Sequence, residues 1–225
     1  MTLISIVPTG MKSYNPLEEE LKEKIPVYVI DDAQRIGNAQ DAVTHGYEVA
    51  RKMHTHPEEK ILDLGCGTGR NAHLMVSYLS EKGGLLGMDI SDEMGKQFRS
   101  RFKEFTNVSF LKQRIDQPFE LTGTFDKAFI SFVIHGFPHE VREKTIQNVV
   151  AHLRPGGKFF ILDYNEFSLR DMPLYIRVPF KTIECPHAFD FIKRDWKRIL
   201  RDFGFHTFQE HLFSWNCVRL LESTL

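Results

Sequence analysis

The chain has 225 residues, enough for one full hydrophobic core, and its 42% hydrophobic and 26% charged content excludes a disordered or fibrous protein. Lysine and arginine number 29 against 30 aspartate and glutamate, so the formal net charge is -1 and no global basic field draws nucleic acid. Cys66, Cys185 and Cys217 are too few and too scattered for a disulfide framework, and no second ligand pair accompanies Cys185 and His187 at zinc-binding spacing. Reduced thiols, no bound metal and a cytoplasmic location are the expectation.

No run approaches the ~20 apolar residues of a membrane span, and the apolar opening Met1–Pro8 lacks the basic start and cleavage site of a signal peptide. Residues 1–57 read as an N-terminal helical cap on a single structural unit, residues 58–225. Leu17, Leu21 and Ile25 share one helical face that Pro26 stops, and Val27–Ile30 is a short strand or an extended link. Ala39, Val43, Tyr47, Ala50 and Met53 recur at helical spacing up to Pro57.

From residue 59 onward, strands and helices alternate. Strands are expected at 60–64, 84–89, 107–112, 125–131 and 157–163, with helices near 70–81, 91–105 and 138–152 between them. Met94, Phe98, Phe102 and Phe105 form the apolar face of the second helix; Val141, Ile146, Val149, Val150 and Leu153 form that of the third. Such alternation implies a parallel sheet covered on both faces. A helix carrying Phe189, Ile192, Trp196, Ile199, Leu200 and Phe203 then ends at Gly204, with Lys193, Arg194, Lys197, Arg198 and Arg201 on its wet face. Two strands near 205–213 and 215–222, joined too tightly to be parallel, close the chain.

The stretch Ile61–Arg70 (ILDLGCGTGR) is a buried strand that enters a glycine turn and then a helix. Gly65, Gly67 and Gly69 clear the side chains from a sharp bend. The dinucleotide pattern G-x-G-x-x-G needs one more residue between its last two glycines. Asp63 also stands where a phosphate would meet a negative charge, and it suits a cationic amine instead. This segment resembles the first motif of class I S-adenosylmethionine-dependent methyltransferases. Asp89 ends the second strand 20 residues beyond Gly69 (89 - 69), where a carboxylate accepts from ribose hydroxyls; it also fits a helix start capped by Ser91. Leu153–Asp163, with its Pro155-Gly156-Gly157 turn, completes the likeness.

The resemblance implies an α/β, Rossmann-like fold: a seven-stranded, mostly parallel sheet with a C-terminal antiparallel hairpin and helices on both faces. It implies S-adenosyl-L-methionine as cofactor and S-adenosyl-L-homocysteine as product. The cofactor would be held by Asp63, Gly65, Cys66, Gly67, Thr68, Gly69 and Asp89, with loop N–H groups meeting its carboxylate. Ile90 and Met94 would lie against the adenine. Many relatives end a strand in an Asp that accepts the adenine amino group and is followed shortly by a Pro-Phe pair; aligned on Pro118-Phe119, that place holds Gln113, beside Arg114, with Asp116 as the alternative. Ser131 and Phe132 would flank the cofactor at the fourth strand's end. His135 would sit at the substrate mouth as base, orienting group or structural histidine, and Tyr164 would face the acceptor pocket with Asp163.

Beyond the motifs, residues 59–165 and, more loosely, Asp202–Phe205 with the final hairpin are similar to the ubiquinone/menaquinone biosynthesis methyltransferase-like group. This implies transfer of a methyl group to a small molecule, with a quinol-type or other apolar ring among the acceptors. The aromatic residues of 159–191 either line that pocket or form core. An RNA or protein methyltransferase, or a protein that binds the cofactor without catalysis, are the other readings; neutral net charge argues against a nucleic-acid partner. No Asn/Asp-Pro-Pro-Tyr/Phe motif occurs, which argues against methylation of adenine or glutamine amino groups.

Overall fold

The computed structural model describes residues 39–214 and 216–225; the expected helix of Leu17, Leu21 and Ile25 and the stretch Val27–Ile30 lie outside them. Helix α1 (Ala39–Lys52) is followed by β1 (Lys60–Leu64), α2 (Arg70–Val76), β2 (Gly84–Asp89), α3 (Asp92–Arg101) and β3 (Val108–Lys112). Then come β4 (Phe125–Ser131), a 3-10 turn (Ile134–Gly136), α4 (His139–His152) and β5 (Leu153–Tyr164). Helices α5 (Leu174–Ile183), α6 (Pro186–Phe191) and α7 (Trp196–Asp202) precede the hairpin of β6 (Thr207–Phe213) and β7 (Val218–Thr224). The strands form one seven-stranded sheet in the order β3-β2-β1-β4-β5-β7-β6. The first five are parallel, and β7 runs antiparallel to both β5 and β6.

Alternate residues of the central strands feed two cores. Leu62, Leu64, Ala128, Ile130, Phe159 and Ile161 face one side with Ile146, Val149, Trp196 and Leu200. Ile61, Phe129, Phe160 and Leu162 face the other with Val49, Met53, Met75 and Phe98. Strands buried on both faces carry nearly continuous apolar runs, which is why β1, β2 and β4 are legible to the residue. The chain winds outward from β1 to β3, then returns to β4 and winds the other way. Loops that follow β1 and β4 therefore diverge and leave a crevice beyond their carboxyl ends.

Several elements depart from expectation. Helix α2 stops at Val76 because the chain folds back, with the Ser80 N–H donating to the Pro57 oxygen at 2.8 Å. Helix α3 ends at Arg101, leaving Phe105 outside it but edge-on to Phe102. Strand β5 begins at Leu153, and its pairing with β4 skips over the Pro-Gly-Gly turn. The single helix expected to end at Gly204 is two, α6 and α7, because Asp195 starts a new one by accepting from the Arg198 N–H at 2.9 Å. Helix α5 has no counterpart in the sequence reading. In α4 the buried stripe is Arg142, Thr145, Ile146, Val149 and His152, while Val141 and Val150 are only half-buried. In α1, Val49 and Ala50 are buried, as is Met53 just beyond its end, and Tyr47 is exposed. Among the described residues no helix is long and apolar enough to cross a membrane.

Candidate active site

Leu64 delivers the chain into the glycine loop. Gly65 and Gly67 have φ of 69° and 53°, a left-handed backbone that side chains disfavour. A β-carbon on Gly65 would lie 2.6 Å from Cγ2 of Val133, so this glycine brings the loop against the turn after β4. A β-carbon on Gly67 would meet no protein atom within 4 Å, which leaves room for a ligand over it. Thr68 is buried, and its backbone oxygen accepts from Arg101 Nε at 2.9 Å. The loop's amides differ from expectation. The Gly65 and Cys66 N–H groups donate to the Met88 oxygen at 2.8 and 3.0 Å, Gly69 donates to Cys66 at 2.9 Å, and Gly67 donates to Asp89 Oδ2 at 3.0 Å. These four donors stabilise the loop itself instead of pointing at a ligand carboxylate. The Cys66 side chain is likewise core, and burial, then the charges of Asp63 and Asp89, push its thiol far above the ordinary range.

Asp63 and Asp89 form the acidic floor. Asp63 is 2% exposed, and its Oδ2 is buried with no hydrogen-bond partner among the described residues. Burial, and secondarily the charge of Asp89, raise its carboxyl from 3.8 to about 8. Asp89 both holds the loop through Gly67 and accepts from the Ser91 N–H at 2.9 Å, while Ser91 caps α3 by accepting from the Met94 N–H at 3.3 Å. Each Asp89 oxygen retains a second lone pair for a hydroxyl donor.

Beyond Asp89, Ile90 is exposed and Met94 half-buried. The Gln113 N–H donates to the Asp89 oxygen at 3.1 Å, so the third strand's end lies beside the second's. The Gln113 side-chain amide donates to the Arg114 oxygen at 3.3 Å. Arg114 is committed to Asp116 by two bonds of 3.0 and 2.7 Å, and this pairing holds the Asp116 carboxyl below the usual range. Asp116 is therefore engaged by its neighbour, which leaves Gln113 as the polar group next to Asp89. Ser131 accepts from Asn71 Nδ2 at 3.1 Å, pinning the first turn of α2 to β4.

At the ends of β4 and β5 lies a second polar cluster. Phe132 turns the chain with φ of 50°, unusual for a side chain of that size and a mark of a constrained site. His135, 4% exposed, places Nδ1 2.8 Å from Asp163 Oδ1 and Nε2 3.7 Å from Glu184 Oε2. Asp163 also accepts from the backbone N–H groups of Tyr164 (2.7 Å) and His135 (3.3 Å). The Tyr164 hydroxyl donates to Glu184 Oε1 at 2.7 Å, and its ring meets those of His135 and Phe180 edge-on, both at 5.0 Å. Sequence reasoning missed Glu184 and Arg142. The Arg142 guanidinium is fully buried and donates to the backbone oxygens of Ile134, His135 and His187 at 3.1, 3.0 and 2.7 Å. Its place in phase with Ile146 and Val149 on the apolar stripe was the available signal.

Residues 61–157 match the family model of the methyltransferase domain. This stretch, which holds the glycine loop, Asp89 and His135, is similar to methyltransferase domains. The chain is 28% identical over 116 residues to the ubiquinone/menaquinone biosynthesis C-methyltransferase of Wigglesworthia glossinidia brevipalpis, covering 50% of this chain and 45% of the relative. It is 27% identical over 165 residues to the demethylmenaquinone methyltransferase of Symbiobacterium thermophilum, covering 67% and 63%. The chain thus spans about half to under two thirds of the length of these relatives. A solved S-adenosylmethionine-dependent methyltransferase from Aquifex aeolicus superposes over 95% of this chain and 100% of its own with a TM-score of 0.63 at 15% identity, a likeness of fold.

The residues present fit S-adenosylmethionine, the cofactor that the resemblance implies. Asp63 offers a buried carboxylate oxygen that lacks a donor, which the α-ammonium would supply. Asp89 offers acceptors for the ribose, Gly67 leaves the space above the loop open, and Ile90 exposes an apolar surface for the adenine.

Proposed function

We propose that this methyltransferase acts on a small, ring-bearing acceptor of quinol type, and that His135 removes the acceptor's proton. The observation that carries the reading is the 2.8 Å bond between His135 Nδ1 and Asp163 Oδ1. Asp163 already accepts two backbone N–H groups, so it serves as acceptor and Nδ1 carries the hydrogen. Nε2 is then the ring atom that takes a proton, the arrangement expected of an oriented general base. Phe132, Tyr164 and Phe191 stand edge-on around the imidazole and keep water from it. Tyr164 donates to Glu184, which makes it an orienting hydroxyl rather than a second base. When bound, the cofactor supplies a methyl group activated on its sulfonium.

Two of the relatives are named for quinone biosynthesis, which supports the acceptor class. A macromolecular acceptor is disfavoured by the basic cluster of α7 and its approach. Arg194 pairs with Asp190 at 2.6 Å, Lys197 pairs with Glu210 at 2.9 Å, and Arg201 lies over the Phe208 ring at 4.9 Å. Calorimetric titration with S-adenosylhomocysteine, with NADH as comparator, is the first test, followed by turnover on a demethylated quinol. Binding of the homocysteine product alone and methylation of the quinol ring are the expected results. Binding of NADH alone overturns the cofactor, and product binding without quinol turnover overturns the acceptor class.

A further inference from the structure

Glu184 is out of place among its neighbours. Its side chain is 6% exposed, in an aromatic setting made by Tyr164, Phe180 and His135. A buried carboxylate ordinarily collects several donors, having about four lone-pair directions to satisfy. Among the described residues the Tyr164 hydroxyl donates to Oε1, and His135 Nε2 faces Oε2 at 3.7 Å, so the carboxylate lies between a hydroxyl donor and an imidazole nitrogen. His135, Asp163 and Tyr164 all belong to the carboxyl ends of β4 and β5 and are cross-bonded to one another. Glu184 arrives from elsewhere, as the C-cap of α5, and its carboxylate meets Tyr164 and His135 at the ends of these strands.

The geometry points to a specific acceptor class: we propose that the Glu184 carboxylate is an internal stand-in for a planar oxyanion of the acceptor, a phenolate or enolate, which displaces it and is held by the Tyr164 hydroxyl and His135 Nε2. This rests on the reading of His135 as the acceptor-facing base. A carboxylate and a phenolate share what the pocket reads: a flat anionic oxygen that accepts one short hydrogen bond from a hydroxyl and faces an imidazole nitrogen. The acceptor's O–H proton passes to Nε2, leaving phenolate and imidazolium side by side. Glu184 must withdraw, because two anions in one buried pocket repel. Glu184 therefore sets specificity, admitting acceptors acidic enough to take over its contacts.

The probe is 4-nitrophenol, whose absorption shifts on ionisation, titrated in the presence of S-adenosylhomocysteine. Removal of the competing carboxylate in Glu184→Ala should tighten phenolate binding about tenfold, the weight of one strong contact. His135→Ala added to that variant should abolish the gain. Glu184→Gln keeps the shape without the charge and should also tighten binding, so it decides the matter if circular dichroism shows that the alanine variant fails to fold. Equal or weaker phenolate binding in the folded variants overturns the proposal. Homocysteine-product affinity is read in the same titrations: its absence from the wild type would strike the methyltransferase reading, while the phenolate comparison still judges Glu184.

Discussion

Arg142 holds His135 from behind, its guanidinium donating at 3.0 Å to the backbone oxygen of this proposed acceptor base. The same group spans to the His187 oxygen at 2.7 Å and to Asp190 at 2.8 Å, so one side chain of α4 joins the 3-10 turn to α6. It also lies over the rings of Phe191 and Trp196, at 5.2 and 5.7 Å. Burial lowers its pKa while Asp190 works against that, and a guanidinium remains charged regardless. Its removal strands three buried carbonyls.

Arg142→Met should therefore cost about 3–5 kcal/mol of stability, as for a buried charge network broken on one side. It should also lower kcat with little change in cofactor affinity, because the glycine loop does not depend on it. Urea unfolding, with the slope compared between proteins, checks the first part. Turnover beside calorimetric titration checks the second. Arg142→Lys should recover little, since an ammonium cannot fork to three carbonyls.

The legibility of the chain follows from what is local. Strands β1, β2 and β4 and the glycine loop are written in contiguous residues, and so is the Ser91 cap. The α6–α7 break was hidden because Phe189, Ile192, Trp196 and Leu200 keep one helical phase across it, while the feature that restarts the helix is the single capping bond of Asp195. Helix α5 contains Pro179, which argues against a helix in isolation. Glu184 meets a histidine 49 residues earlier (184 - 135), and nothing in its neighbourhood announces the pairing.

The two innermost glycines of the loop should separate folding from binding. Gly67→Val adds a side chain where no protein atom stands within 4 Å, so the cost to folding is the left-handed backbone alone, about 1–2 kcal/mol. Cofactor affinity should vanish while the circular dichroism spectrum persists. Gly65→Ala instead presses a methyl group on Val133 and should displace the Phe132 turn, lowering both Tm and turnover. Normal binding by Gly67→Val would show that the ligand does not lie over this loop.

Asp89→Ala removes the acceptor of both Gly67 and Ser91 along with the proposed ribose contact. Affinity for S-adenosylhomocysteine should weaken by about 1–3 kcal/mol, the weight of a charged hydrogen bond. Homocysteine alone, which has no ribose, separates the loop from the sugar: its binding should change less. Unchanged affinity for the full product would sink the ribose assignment.

If Asp63 takes the cofactor's ammonium as proposed, cofactor binding should be a proton-linked event. Its carboxyl stands at about 8 in the folded chain against an ordinary 3.8, through burial first and Asp89 second. Between those values the native chain keeps a proton that the unfolded chain has released. The stabilisation from this group is thus full at low pH and lost as pH rises through about 8. The cofactor-free protein should lose Tm across that window, and Asp63→Asn should flatten the loss. An ammonium paired to Asp63 requires the ionised carboxylate, so binding near neutral pH should expel a proton, and affinity should climb with pH until the carboxyl is ionised. Titrations in buffers of different ionisation enthalpy measure that proton directly. Equal proton release by the wild type and Asp63→Asn would place the ammonium elsewhere and leave the unpartnered oxygen of Asp63 as a purely structural cost.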